Sequence, residues 1–289
     1  MKEGATPMVN SLVSVLIPNY NYGRYLSETI NSVLSQSHKN LEIIVIDDGS
    51  TDNSKEVLEQ FKDLIVFQCI ANGGQAQARN RALEISNGEY IALLDADDLW
   101  LPTKIEKQLE LMSATVRFSY TGMLQFDDQT GLTTRTIAPR FEGNCQTAFL
   151  EFPTLAIVPG GESSVLFHRS LVAEIGNFNS ELETAAGRDF YRRCSRVTEF
   201  AFTNEIFLRQ RMHSGSMSTN RNRSMSDTVK AYDLLFKDPD WDISSGQIRR
   251  IYLLLEWSFL KTWLKIFDFH QAWKSSKRML GILIRGCRR

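Results

Sequence analysis

Tyr90-Ile91-Ala92-Leu93-Leu94-Asp95-Ala96-Asp97-Asp98 passes from an apolar run straight into three carboxylates within four positions. It reads as a buried strand whose end opens on a polar crevice. Upstream, Asn72-Gly73-Gly74 makes a turn and Gln75 to Ser86 has a helical pattern. Before that come strand-like runs at Val13–Ile17, Leu41–Ile46 and Ile65–Ile70. Between them, Leu26, Ile30, Val33 and Leu34 fall on one helical face, and a second helix is expected from about Ser54 to Phe61. Downstream, Pro102 sits near the start of a helix whose inward face is Ile105, Leu109 and Met112. Strands alternating with helices predict an α/β fold with a parallel sheet and crossover helices.

Composition sets the bounds. The 289 residues carry 33 Lys+Arg against 34 Asp+Glu and are 43% hydrophobic, the profile of a globular chain without the basic excess that nucleic-acid binding requires. Cys69, Cys145, Cys194 and Cys287 are far apart and form no CxxC pair, so neither a zinc site nor a disulfide framework is expected, and a reducing cytoplasmic compartment fits. Met1 to Pro7 lacks the basic and apolar regions of a secretory signal. Glu256, Lys261, Lys265 and Asp268 interrupt the apolar segment from Ile251 to Phe269, too many charges for a membrane span. From Phe118 to Arg211 the pattern is less regular, with a helical stretch beginning near Arg188. Residues 212–227 are polar and rich in Ser and Asn, and read as a loop or linker. The expected division is a larger domain over 1–227, in two parts (1–120 and 121–227), followed by a helical extension (228–289).

In an open parallel sheet, ligands bind beyond the carboxyl ends of the strands. Those ends are Pro18-Asn19-Tyr20-Asn21-Tyr22, Asp47-Asp48-Gly49-Ser50, Asn72-Gly73-Gly74 and the cluster at Asp95, Asp97 and Asp98. Three close carboxylates repel one another unless a cation relieves them, and Mg²⁺ or Mn²⁺ takes one or two carboxylates with diphosphate and water. Gly74 lets backbone N–H groups approach a ligand, and Arg79 could meet a phosphate or a base edge. Tyr20 could stack on a base, and Asp47 or Asp48 accept from it or from a ribose. The bland alternatives are solvated turns, packing aromatics and a surface arginine. GxxxxGK[ST], GxGxxG after the first strand and GxSxG are all missing, which argues against P-loop, dehydrogenase and hydrolase chemistry.

Four blocks together resemble the family-2 inverting glycosyltransferases of GT-A fold: Ser14–Asn21, Ile44–Asp52, Asn72–Gly74 with Ala78-Arg79-Asn80, and Gly88–Asp98. The likeness runs from about Val13 to Ser218. It implies a Rossmann-like nucleotide-binding half in which Pro18, Tyr20, Asp47 and Asp48 line a base and ribose pocket, with Gly74, Arg79, Asp95 and Ala96 beside it. It also implies Asp97 as ligand to Mn²⁺ or Mg²⁺. Gly161–Phe167 and Ile175–Phe178 resemble the acceptor-side segment. Where the family shows Glu-Asp at a helix head, this chain has Arg188-Asp189. The resemblance makes Asp189 the base of a single displacement, although an adjacent arginine weakens a base unless its guanidinium points elsewhere. Arg211-Met212-His213 followed by Ser216 and Ser218 resembles a closing element, with His213 as metal ligand or pyrophosphate donor and the serines as lid residues.

The implied activity is transfer of one sugar from a nucleoside-diphosphate sugar, a UDP-sugar first, to a glycan or lipid-linked acceptor in cell-envelope polysaccharide biosynthesis. Two rivals stand beside it: a catalytically degenerate nucleotide-binding partner subunit, and a nucleotidyltransferase. Residues 241–289 hold ten Lys/Arg against three Asp/Glu, beside many aromatics. One reading is helices packed on the catalytic domain, at least up to Phe269. The other is peripheral contact with the inner face of a membrane through Met279–Ile284 flanked by Lys277, Arg278, Arg285, Arg288 and Arg289.

Overall fold

A computed structural model describes residues 10–153, 155–215 and 221–286, with side chains as far as 283. Ser216, Ser218, Arg288 and Arg289 lie outside the described residues, as do the side chains of Ile284 and Arg285. The elements run β1 (Val13–Asn19), α1 (Gly23–Leu34), β2 (Leu41–Asp47), α2 (Ser54–Gln60), β3 (Val66–Cys69), α3 (Gln75–Ile85), β4 (Tyr90–Leu93) and β5 (Leu99–Trp100). There follow α4 (Lys104–Leu109), β6 (Val116–Asp127), β7 (Thr133–Ile137), α5 (Gln146–Glu151), a 3₁₀ turn (Gly161–Ser164), β8 (Val165–His168), α6 (Ser170–Ile175), α7 (Ala186–Cys194) and β9 (Glu199–Met212). The chain continues with α8 (Arg221–Leu235), α9 (Ser245–Lys265) and α10 (Phe269–Gly286).

The strand order is β3-β2-β1-β4-β8-β6-β9-β5, with β7 on β6. The first four strands are parallel, and β4 to β8 is the first antiparallel pairing. This is the GT-A form of an α/β fold. Helix-covered parallel strands are buried on both faces, which is why Val15–Ile17 of β1 and Ile43–Ile46 of β2 read as apolar runs. Val15, Ile17, Val45, Ala92 and Leu94 form the core with Leu26 and Ile30 of α1 and Ile105 of α4. Pro18 is tolerated in a central strand because pairing with β4 ends at Leu16, before the proline's missing N–H is needed. At Gly88, any Cβ would press on the backbone and hydroxyl of Ser14, so only glycine lets the chain enter β4.

The chain divides into two compact units, Met1–Cys145 with Ile157–Thr219, and Gln146–Ala156 with Asn220–Arg289. Two expectations change. The irregular stretch holds the long strands β6 and β9, and the loop expected over 212–227 is helical from Arg221. Its polar composition hid a stripe: Met225 and Val229, followed by Tyr232 and Leu235, recur at helical spacing and pack with Trp241, Ile251 and Leu255 in the second unit.

Candidate functional site

Three of the four strand ends are fixed by hydrogen bonds made at the sequence motifs themselves. Asp47 is buried, with one carboxylate oxygen accepting from Asn19 Nδ2 at 2.7 Å and the other from the Ser50 N–H at 2.9 Å. It therefore brackets the ends of β1 and β2. Asp48 is also buried, and its two oxygens accept from the N–H groups of Gly73 and Gly74, each at 2.8 Å. Gly74 takes φ +90° at the head of α3, with open space where a side chain would stand. Asp48 thus holds the glycine turn in a conformation that other residues rarely adopt. Tyr20 is 47% exposed at the rim, as a ring available for stacking must be, while Pro18 lies buried in β1.

Two residues are placed otherwise than the sequence suggested. Ala96 is buried in the core cluster, and its carbonyl accepts from the Thr29 hydroxyl at 2.9 Å, so its side chain does not face a ligand. Arg79 is only 1% exposed. Its guanidinium donates to Asp95 Oδ1 at 2.9 Å and to Glu162 Oε1 at 3.0 Å. A buried cation held by two carboxylates positions them; it is no surface group waiting for a phosphate. Gln75, at the start of α3, donates to the same Asp95 oxygen at 2.9 Å.

The acid cluster is electrostatically loaded. Burial pushes Asp95 up to about 7, with Arg79 opposing and Glu162 and Asp97 adding to the rise. Burial, then the charges of Asp97 and Asp95, raise Asp98 well above the usual carboxylate range. Asp98 Oδ1 accepts from the Arg211 N–H at 3.0 Å, tying the end of β9 to the cluster. The Arg211 guanidinium reaches Asp128 at 2.8 Å, Glu28 at 2.6 Å and the Asp97 carbonyl at 3.0 Å, and lies over the Tyr25 and Phe126 rings. Two residues on, His213 Nε2 lies 3.0 Å from Asp97 Oδ2. Tyr22 and Tyr25 flank the imidazole at 5.5 and 5.0 Å between ring centroids. Burial, then the charges of Asp97 and Asp95, raise the Tyr22 phenol, whose O–H donates to the Gly215 carbonyl at 3.2 Å.

Asp97 and His213 therefore bring a carboxylate oxygen and an imidazole nitrogen together at the mouth of an over-acidic cluster, a donor pair that suits a first-row divalent ion. Among the described residues no group of three or more His, Cys, Asp or Glu forms a protein cage. The pair fits an ion that completes its shell with water and phosphate oxygens.

Asp189 lies in the first turn of α7 and is buried. One carboxylate oxygen accepts from Arg192 and the other from Arg193 Nε at 2.9 Å, so both are engaged within the helix. Glu162, which the sequence did not single out, is 18% exposed at the side chain. Its carboxylate lies against Gly187, filling the place a side chain there would take, and Oε2 has no partner among the described residues.

Residues 14–175 match the family model of glycosyl transferase family 2. The chain belongs to that family. Among family-2 relatives, TuaG of Bacillus subtilis, named for teichuronic acid biosynthesis, is 46% identical over 116 residues, 38% of this chain and 46% of TuaG. The Escherichia coli UDP-Glc:alpha-D-GlcNAc-diphosphoundecaprenol beta-1,3-glucosyltransferase WfaP is 34% identical over 218 residues, covering 74% of this chain and 82% of WfaP. The match to TuaG spans under half of that protein, and the match to a Nostoc glycosyltransferase spans 33% of it. In fold, the family-2 chain superposes on S. aureus TarS 1-349 in complex with UDP-GlcNAc with a TM-score of 0.68 at 18% identity, over 93% of this chain and 81% of that one.

Proposed function

We propose that this family-2 chain transfers one sugar from a nucleoside-diphosphate sugar, with UDP the first base to test, to a lipid-linked or glycan acceptor, with inversion at the anomeric carbon. The observation that carries the reading is the Asp97–His213 pair at the convergence of four strand ends. Support for the donor comes from TarS, solved with UDP and with UDP-GlcNAc, and from the Pyrobaculum calidifontis mannosyltransferase PcManGT, solved with GDP-Man and Mn²⁺. Support for a lipid-linked acceptor comes from the substrate in WfaP's name, and such an acceptor would bring the enzyme to a membrane surface.

Asp97 and His213 would hold Mn²⁺ or Mg²⁺, which supplies positive charge to the departing diphosphate. Tyr20 would cover the base, and the Gly73-Gly74 turn held by Asp48 would admit the ribose or phosphates. The acceptor hydroxyl attacks the anomeric carbon on the face opposite the diphosphate. Its oxygen forms the new glycosidic bond, the bond to the diphosphate breaks with its electron pair, and a carboxylate takes the hydroxyl proton.

Asp189 is the base that the family resemblance offers. Its engagement by Arg192 and Arg193 favours a second assignment, in which Glu162 takes the proton while Arg79 orients it. The test of function is thermal stabilisation by UDP, GDP, dTDP and CDP, each with Mn²⁺, Mg²⁺ or chelator, followed by sugar transfer from the stabilising base's donors. Stabilisation by one diphosphate only with metal, and transfer, support the proposal. Nucleotide binding without transfer to any lipid-linked or glycan acceptor would turn the reading to a partner subunit. Pyrophosphate release from a triphosphate would make it a nucleotidyltransferase.

A further inference from the structure

The second unit carries a run of exposed large apolar residues. At the turn joining α9 to α10, Leu264, Ile266, Phe267 and Phe269 are exposed, with Trp257 above them on α9 and Trp273 beyond them on α10. Phe267 is 77% exposed and Trp273 60%. On α9, Trp257, Lys261, Leu264 and Lys265 share one face at helical spacing; on α10, Phe269, Trp273, Lys277 and Leu280 do the same. Exposed apolar residues are ordinary when scattered, but these are contiguous along two helices and the turn between them.

The backbone at the tip sharpens the point. Phe267 has φ +59°, a left-handed conformation in which glycine or asparagine would end α9 at less cost. Neither the turn nor the core calls for an aromatic ring there, since the ring projects into solvent.

Exposed lysines are interleaved with these residues. From 257 to 280 the sequence has Lys261, Lys265, Lys274, Lys277 and Arg278 against Asp268 alone. Arg278 is matched to Glu256, and Asp268 is used within the turn, where its carboxylate accepts from the Gln271 N–H at 3.0 Å and caps α10. The four lysines remain without ion pairs among the described residues, and Lys261 and Lys277 lie over the Trp257 and Trp273 rings. No helix among the described residues is long and apolar enough to cross a membrane. Exposed Trp and Phe interleaved with lysines on an amphipathic helix pair make a surface that inserts shallowly and meets negative headgroups.

We propose that the α9–α10 knuckle, with Phe267 at its tip, docks the protein on an anionic lipid bilayer. The site differs from the segment that the second sequence reading offered: its apolar centre lies at 264–273 rather than at 279–284. The proposal stands on this surface and not on the transfer reading, and its test needs no turnover.

The full chain is mixed with vesicles of phosphatidylcholine alone or with one-third phosphatidylglycerol, and sedimented at low and high salt. Binding to the anionic vesicles that falls with salt is expected, with weak binding to the neutral ones. Brominated acyl chains should quench tryptophan fluorescence in the bound state. Changing Phe267, Phe269 and Trp273 together to Ser should reduce partitioning at least tenfold. Changing Lys261, Lys265, Lys274 and Lys277 to Gln should reduce it about fivefold per lysine. All seven positions are exposed, and unchanged melting temperatures would verify the fold. Should the aromatic variant fail to fold, the lysine variant decides. Absence of binding to anionic vesicles, equal binding by the folded variants, or a dimer by light scattering that the aromatic substitutions dissolve while vesicle binding persists would each overturn the proposal.

Discussion

His213 Nε2 and Asp97 Oδ2 stand 3.0 Å apart although 116 residues separate them, because the hydrogen bond from the Arg211 N–H to Asp98 fixes the end of β9 against the acid cluster. If the pair holds the ion, each partner is needed for metal-dependent nucleotide binding and neither for the fold. Asp97→Asn and His213→Ala should each weaken the Mn²⁺-dependent binding of the preferred nucleoside diphosphate by at least tenfold in calorimetry, with unfolding midpoints near that of the parent protein. Undiminished metal dependence in both variants would remove these residues from the site.

Glu162 and Asp189 make opposite predictions. Glu162→Gln keeps the shape and a hydrogen bond to Arg79 but cannot take a proton, so kcat should fall by about 10²- to 10⁴-fold with donor binding retained. Asp189→Asn removes the buried carboxylate to which both Arg192 and Arg193 donate, a loss of about 3 kcal/mol in denaturant unfolding, while Arg193 keeps its bonds to the Ile175 and Asn177 carbonyls. A stable Asp189→Asn variant without turnover, beside an active Glu162→Gln variant, would return the base assignment to Asp189.

Much of this site was legible because its parts are local. The strand ends, the glycine turn and the acid cluster each sit within one short motif, and buried parallel strands announce themselves as apolar runs. Asp189 carried a readable signal too: Arg192 and Arg193 follow at the three- and four-residue spacings at which helix side chains meet. Glu162 had no such signal. Its link to Arg79 spans 83 residues and depends on β8 pairing antiparallel beside β4, which delivers the preceding 3₁₀ turn to α3. Ala96 was misjudged because a small residue between acids looks like part of their loop, while its side chain packs inward. The helix from Arg221 was missed because serines and asparagines on its outer face outweighed a short apolar stripe.

Arg211 gives a third prediction. Its guanidinium joins Glu28, Asp128 and the Asp97 carbonyl, so it acts on the site by holding the strand that bears His213. Arg211→Met keeps the stacking bulk over Tyr25 and Phe126 but releases those bonds. Metal-dependent nucleotide affinity should fall, by about tenfold, and the metal concentration for half-maximal effect should rise with it. A rise in the acceptor KM alone would show that Arg211 does not position His213.

Lys104 offers a test of burial away from the ligand groups. It is fully buried in α4, with Nζ donating to Gln108 Oε1 at 2.6 Å and lying 4.0 Å from the Trp100 ring centroid. Burial drives the ammonium well below its ordinary range. In the unfolded chain the lysine holds its proton up to about pH 10.4. Between the lowered folded value and that limit, the unfolded state binds more protons, so this group's contribution to stability rises with pH and its penalty grows as pH falls. Lys104→Met removes the titration while filling similar space. Unfolding free energies of the parent and the variant, measured from pH 7 to 9.5, should therefore shift in the parent's favour as pH rises, by at most about 1.4 kcal/mol per pH unit. Parallel profiles would mean that Lys104 keeps its charge inside the fold, stabilised by Gln108 and the face of Trp100.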